Sequence, residues 1–278
     1  MSKLVISSAS FYFWMKKFCP IEAISLTHKN LVNKFNGIDI YIDPNQFNFF
    51  YESLNAKLLS KISDFNYKVL HTDFSSLCDW EKNPLDINML EQILKNLFRI
   101  CKKINANDLV IHANYLIGKS DDRIRILKNI SSDFPVSLEL VDSNYKFGTR
   151  PNHFHNILPK AKNFFITPDL AHMQDFDYSW EEVFFDDLIS KKIRVIHLSN
   201  HTKHLKENWY EKHGFNESKD ANHSFCIAKK DNFTKDLFKY ICNKHIVLEG
   251  IIPVGPEGLD YLDMEVNWVN HMMKDTTK

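Results

Sequence analysis

The residues best placed for chemistry are Pro168-Asp169-Leu170-Ala171-His172-Met173, directly after the apolar run Phe164-Phe165-Ile166. Aromatic and β-branched residues in so short a run predict a buried strand. Asp169 stands where that strand stops and His172 lies three residues on, so a carboxylate and an imidazole can converge at one strand end. Zinc and harder divalent cations both accept that mixture of donors. Taken alone, the pair serves equally well as a helix cap with a packed imidazole.

The same event recurs along the chain. His71 follows Val69-Leu70, His112 follows Val110-Ile111, Glu139 follows Ser137-Leu138, His197 follows Val195-Ile196 and Glu249 follows Val247-Leu248. A histidine in such a place is often a hydrogen-bonded rim residue, but the two glutamates are harder to place. A carboxylate that ends a buried run is costly to ionise unless something pairs with it. A divalent ion is such a partner. The polar stretch 199–232 adds Asp220 and His223, with His201, His204 and His213 and the aromatic residues Trp209, Tyr210 and Phe215. Arg150, in Phe147-Gly148-Thr149-Arg150, is placed either to reach a substrate anion or to begin the next helix.

These positions need a scaffold that brings strand ends together. Eight short apolar runs occur, at 4–7, 38–42, 68–71, 109–112, 136–140, 164–166, 194–198 and 246–249. Between them helical patterns are expected over 20–35, 47–65, 84–104, 120–132, 150–160, 178–190, 233–243 and 257–273. The clearest is 84–104, where apolar residues from Ile87 to Ile104 recur at spacings of three and four, with Asn83 and Pro84 as its start signal. Strands alternating with helices imply a parallel sheet with right-handed crossovers. Closing eight such units gives a (β/α)8 TIM barrel, an α/β fold in which every strand end faces the same side. An open doubly wound sheet is the rival. No Gly-rich phosphate-binding loop supports it, and the chain has only 7 glycines.

The totals agree. The 278 residues suit one barrel domain spanning 1–278, with no Gly/Ser/Pro linker. Lys+Arg and Asp+Glu are 35 each, so overall charge weighs against a nucleic-acid partner. The 5 cysteines are scattered, which fits a reducing cytoplasm rather than a disulfide framework. Lys3 and Leu4-Val5-Ile6 are read as a first strand, because Ser7-Ser8-Ala9-Ser10 interrupts any signal-like run, and no stretch is long enough to span a membrane.

The order Glu139, Asp169-Leu170-Ala171-His172, His197-Leu198-Ser199-Asn200, Glu249 resembles the xylose isomerase-like TIM-barrel superfamily. That superfamily includes sugar and sugar-phosphate isomerases and epimerases and the endonuclease IV group. In the epimerases the resemblance implies one divalent metal on Glu139, Asp169, His197 and Glu249, with His172 touching substrate. In the endonuclease IV group it implies three zincs, held additionally by His71, His112, His172, Asp220 and a loop histidine. Asn222 occupies the expected place of that histidine and His223 comes one residue later. Phe225-Cys226-Ile227-Ala228 replaces the Gly-x-Gly that follows in that group, and Ser7-Ser8-Ala9-Ser10 replaces its Gly-x-His.

Two activities follow. In an isomerase or epimerase of a small carbohydrate or its phosphate, the ion would stabilise an enediolate while Glu139 and Glu249 move the proton, with His172 and Arg150 binding substrate. In a multinuclear zinc hydrolase of a phosphodiester or phosphoester, Glu139 would bridge two ions. The sequence favours the first because the repair-specific segments are missing. A barrel that serves only as a binding module is the third reading. Mixed donors admit zinc, manganese, iron or cobalt, one to three ions per chain.

Overall fold

A computed structural model describes residues 3–15, 17–74, 77, 86–115, 121–141, 148–174, 179–202 and 223–276. Its strands are β1 (Leu4–Ser7), β2 (Gly37–Tyr41), β3 (Tyr67–Thr72), β4 (Asp108–His112), β5 (Val136–Glu139), β6 (Phe164–Thr167), β7 (Val195–Leu198), β8 (Asn200–His201), β9 (His223–Ser224) and β10 (His245–Leu248). Eight of them pair in parallel in the order β6-β5-β4-β3-β2-β1-β10-β7. The remaining gap, between β6 and β7, is bridged in parallel at Ile166–Ile193 and Asp169–His197. The result is a (β/α)8 TIM barrel. Among the described residues, no helix is long and apolar enough to cross a membrane.

The period of two along each strand builds the interior in layers. Val5, Val69, Val110, Val195 and Val247 pack together inside the barrel, while their neighbours Leu4, Ile6, Leu70, Leu109, Ile196 and Leu248 face the helices. Two residues further along from the valines stand Ser7, His71, His112, His197 and Glu249. The alternation that buries the valines therefore raises polar groups into the layer above them, at the C-terminal ends of the strands.

The opposite end is closed by a polar plug. The Tyr67 hydroxyl donates to Asp108, whose carboxylate also receives Arg194 at 3.1 Å through Nη2. The His245 ring stacks on Tyr67 with centroids 3.5 Å apart. Asp108 is fully buried, so Arg194→Ala strands its charge at a cost of about 3 kcal/mol. For a chain of this size, that corresponds to a melting temperature lower by about 6–12 °C. A thermal melt within 2 °C of the parent would contradict this account of the plug.

The first helix is α1 (Pro20–Leu31), and later ones differ from expectation where local signals compete. The segment expected as one helix over 47–65 splits into α2 (Phe47–Ser53) and α3 (Ala56–Ser63), because the Asn55 side chain accepts from Leu58 N at 3.0 Å and starts a new helix. The segment 150–160 is not an α-helix but two short 3-10 turns, Pro151–Phe154 and Leu158–Lys160. Pro159 lacks the N–H that a continuous helix would need there. The long helix α4 (Ile87–Ile104) buries Leu90, Leu94, Leu97, Cys101 and Ile104 along one stripe. Asp86 caps it, accepting from Asn88 N and Met89 N, and the proposed starters Asn83 and Pro84 lie outside the described residues. Among the described residues the next helices are α5 (Asp121–Ser131), α6 (Leu170–Met173), α7 (Trp180–Phe184), α8 (Lys235–Ile241) and α9 (Pro256–Asp275).

Candidate metal centre

A cavity of about 310 Å³ opens at the C-terminal ends of the strands. It is lined by His71, His112, Glu139, Asp169, His172, His223 and Glu249, with Tyr12, Phe13 and Tyr41 on another side. His197 lies beneath them, fully buried.

Glu139 is the hub. Its Oε2 faces His71 Nε2 at 2.9 Å and His112 Nε2 at 3.6 Å, while its Oε1 faces His197 Nδ1 at 3.4 Å and His172 Nε2 at 3.9 Å. Glu249 repeats the pattern, with Oε1 at 3.2 Å from His197 Nδ1 and Oε2 at 3.7 Å from His223 Nδ1. Asp169 has two distinct oxygens. Oδ1 accepts from Ala171 N at 2.7 Å and His172 N at 3.0 Å, capping α6. That capping turns Oδ2 toward His172 Nε2, 3.5 Å away. The cap and the ligand of the sequence reading are thus the two oxygens of one side chain.

Burial and mutual attraction shift these groups. Burial alone would raise the carboxyl of Glu139, but His112, His197 and His71 outweigh it and hold the group well below the usual carboxylate range. Glu249 is pushed well above that range, by burial first and then by Asp169 and Glu139, despite the nearby His197. Burial pulls His197 down, yet Glu249 and Glu139 overcome it and raise the ring to about 9. His71 also lies well above its ordinary value, since Glu139 and Asp39 outweigh burial. Burial lowers His112, and lowers His223 to about 4.

The donor set fits divalent ions. Asp169 Oδ2, Glu139 Oε2, Glu249 Oε2 and both ring nitrogens of His71 and His197 are buried without a hydrogen-bond partner of good geometry. Orphaned groups at this density are rare in folded proteins. Their separations also match ligands sharing an ion, because donors about 2.1 Å from a metal lie about 3.0–3.5 Å from one another. Four overlapping triads have one donor atom from each member within 4.8 Å: Asp39/His71/His197, His71/His112/Glu139, Asp169/His172/His223 and Glu139/Asp169/His197.

The structure brings most of the expected residues together and leaves Arg150 apart. Asp220 lies outside the described residues, as do His204 and His213. His223 lines the cavity, with Ser199 Oγ 2.8 Å from its Nδ1, on a short antiparallel ribbon in which it pairs with His201. Arg150 is exposed at the start of the turn Pro151–Phe154 and is not among the described residues lining the cavity. Asp39 was missed by the sequence reading. It is fully buried, accepts from Ser7 Oγ at 2.9 Å and lies 3.5 Å from His71 Nδ1 through the same oxygen. Its signal was present, a charge inside the apolar strand Gly37-Ile38-Asp39-Ile40. Carboxylates behind a ligating imidazole orient the ring, so Asp39→Asn is expected to weaken divalent-ion affinity about 10–100-fold. Competition with a chromogenic chelator measures this, and unchanged affinity would remove Asp39 from the centre.

No family model and no curated protein matches the sequence. Solved structures do match in fold. A D-allulose 3-epimerase from Methylomonas sp., in complex with D-allulose, is 13% identical with a TM-score of 0.58, covering 98% of this chain and 96% of that one. Endonuclease IV from Thermus thermophilus is 14% identical with a TM-score of 0.58, covering 99% and 97%. A xylose isomerase domain protein from Planctomyces limnophilus is 12% identical with a TM-score of 0.56, covering 91% and 93%. Likeness along more than nine-tenths of each chain gives this one the fold of the xylose isomerase-like TIM barrels.

Proposed function

We propose that the chain is a multinuclear divalent-metal hydrolase acting on a phosphoester or phosphodiester. The observation that carries this reading is the division of labour at Glu139, whose two oxygens face two different pairs of histidines. A single ion on Glu139, Asp169, His197 and Glu249 would leave His71 and His112 without a task, whereas a second ion would be held by them together with Glu139. Charge supports the same count. Asp39, Glu139, Asp169 and Glu249 are all buried, and two divalent ions would offset their four charges.

When bound, such ions lower the pKa of water and offset negative charge gathering on phosphate oxygens. The protein's own groups do the rest. Glu139 fixes the spacing of the two donor sets, and Asp169, locked by its cap to α6, cannot swing away. Glu249, on the cavity wall, takes the proton released by an attacking water. That water's oxygen bonds to phosphorus, the ester P–O bond breaks, and the departing oxygen leaves as an alcohol with a proton from solvent. The valine layer below excludes water from the floor of the site.

A one-ion isomerase or epimerase is the second reading, favoured by Glu139 and Glu249 flanking His197 Nδ1 at 3.4 and 3.2 Å. Metal analysis of chain purified without chelators separates the two, together with release of phosphate from simple esters and uptake of solvent deuterium by ketoses. Two or three ions with ester turnover support the hydrolase. One ion with deuterium uptake transfers the assignment to the isomerase.

A further inference from the structure

The cavity has two chemically different halves. Beyond the carboxylates and imidazoles lies an aromatic wall that the hydrolytic chemistry does not use. Tyr12, Phe13 and Tyr41 line it, and the described lining residues include no lysine or arginine. The wall is continuous with the ion-binding end. Tyr12 stacks on Phe18 with centroids 5.9 Å apart, Phe18 meets Tyr41 at 5.7 Å, and Tyr41 meets His71 at 5.4 Å.

The wall is also braced. Its first residues belong to the 3-10 segment Ser8–Trp14, pinned by Phe11 in the core and by Trp14 Nε1 donating to Ile252 O and Pro253 O at 3.0 and 3.1 Å. Tyr41 is held by its hydroxyl, which donates to Asp73 Oδ2 at 2.6 Å. Tyr12 is nevertheless 50% exposed. One of its faces is fixed against Phe18, and an aromatic ring held this way at a cavity wall is a preorganised stacking platform.

We propose that this wall seats a planar unsaturated ring carried by the substrate, with the phosphate at the ion-binding end. The inference rests on the hydrolase reading for the identity of that phosphate. The ring is that of a nucleobase or of an aryl group, since both present a π-face and neither needs a cationic side chain. Asp73, beside Tyr41, disfavours an anionic group at the aromatic end and sets the orientation.

Non-hydrolysable phosphonates test this without requiring turnover. Titration calorimetry on the zinc-loaded chain compares benzylphosphonate with cyclohexylmethylphosphonate, and the 5′-phosphonate analogue of uridine with that of ribose. The planar member of at least one pair is expected to bind about tenfold tighter. Tyr12→Leu, which keeps an apolar side chain but no ring, is expected to erase that preference, and Phe13→Leu to reduce it. The pair that shows the preference identifies the ring's source. Equal affinities within both pairs, or a preference that survives Tyr12→Leu, would overturn the inference. Planar preference without turnover of any phosphoester would count against the hydrolase reading alone, leaving the ring-binding wall in place.

Discussion

Replacing Glu139 by glutamine is expected to lower phosphoester turnover by about 10^3-fold and to reduce the bound metal to one ion or none. The change keeps the shape of the side chain and removes its charge, so the two histidine pairs remain while the group between them can no longer serve two cations. Loss of one preorganised electrostatic contact at a reacting centre costs about 10^2–10^3-fold. Here ion occupancy falls as well, which places the expected loss at the upper end. The variant also loses the negative partner of His71 and His197 in the metal-free chain. In chelator it should therefore melt below the parent near neutral pH and draw closer to it as pH rises through about 9, where His197 loses its proton. Turnover measured well below either melting transition keeps folding and catalysis apart. Turnover within tenfold of the parent, with metal content unchanged, would remove Glu139 from the hub.

Stripping the metal from the parent chain is expected to lower its melting temperature by about 10 °C. A ligand present at 1,000 times its dissociation constant stabilises the folded state by about 4 kcal/mol, and each kcal/mol is worth about 2–4 °C in a chain of this length. The effect also has a pH dependence of definite sign. His197 sits at about 9 in the folded chain and His71 well above its ordinary value, against about 6.5 when unfolded. A raised histidine contributes stability that is fully present below the unfolded value and is lost as pH rises through the folded one. The lowered histidines, His112 and His223, have already lost their protons in both states above about 6.5. The metal-free chain should thus melt progressively lower from pH 6.5 to 9, while the metal-loaded chain holds steady because the ion replaces those protons. Scanning calorimetry with and without chelator across that range measures both. A gap between the two curves that narrows as pH rises would contradict a centre built on His71 and His197.

Much of the barrel was legible because its signals are local. All eight apolar runs lie on the barrel strands, with ends that differ by a residue or two. The helices were less legible, since Asn55 and Pro159 act through single side chains that a periodicity average overlooks. Among the site residues, the strand-end position of Glu139 or His71 is visible because a polar residue ending an apolar run is a break in a local pattern. Asp39 escaped because it sits inside its run, where one charge reads as noise. The aromatic wall escaped for a related reason: Tyr12 and Phe13 belong to an ordinary apolar cluster, and only the anchoring of Phe11 and Trp14 turns their neighbours toward the cavity.

Which residues end the strands, and which side of each strand they share, follows from the order of amino acids alone, because the two-residue repeat of an extended chain needs no distant partner. What those residues meet depends on how the barrel closes. Ring closure between β6 and β7, and the register of eight strands, put the two oxygens of Glu139 before two different pairs of imidazoles. Distances of 3–4 Å between groups far apart in the chain are set by how the whole barrel packs, and no local pattern encodes them.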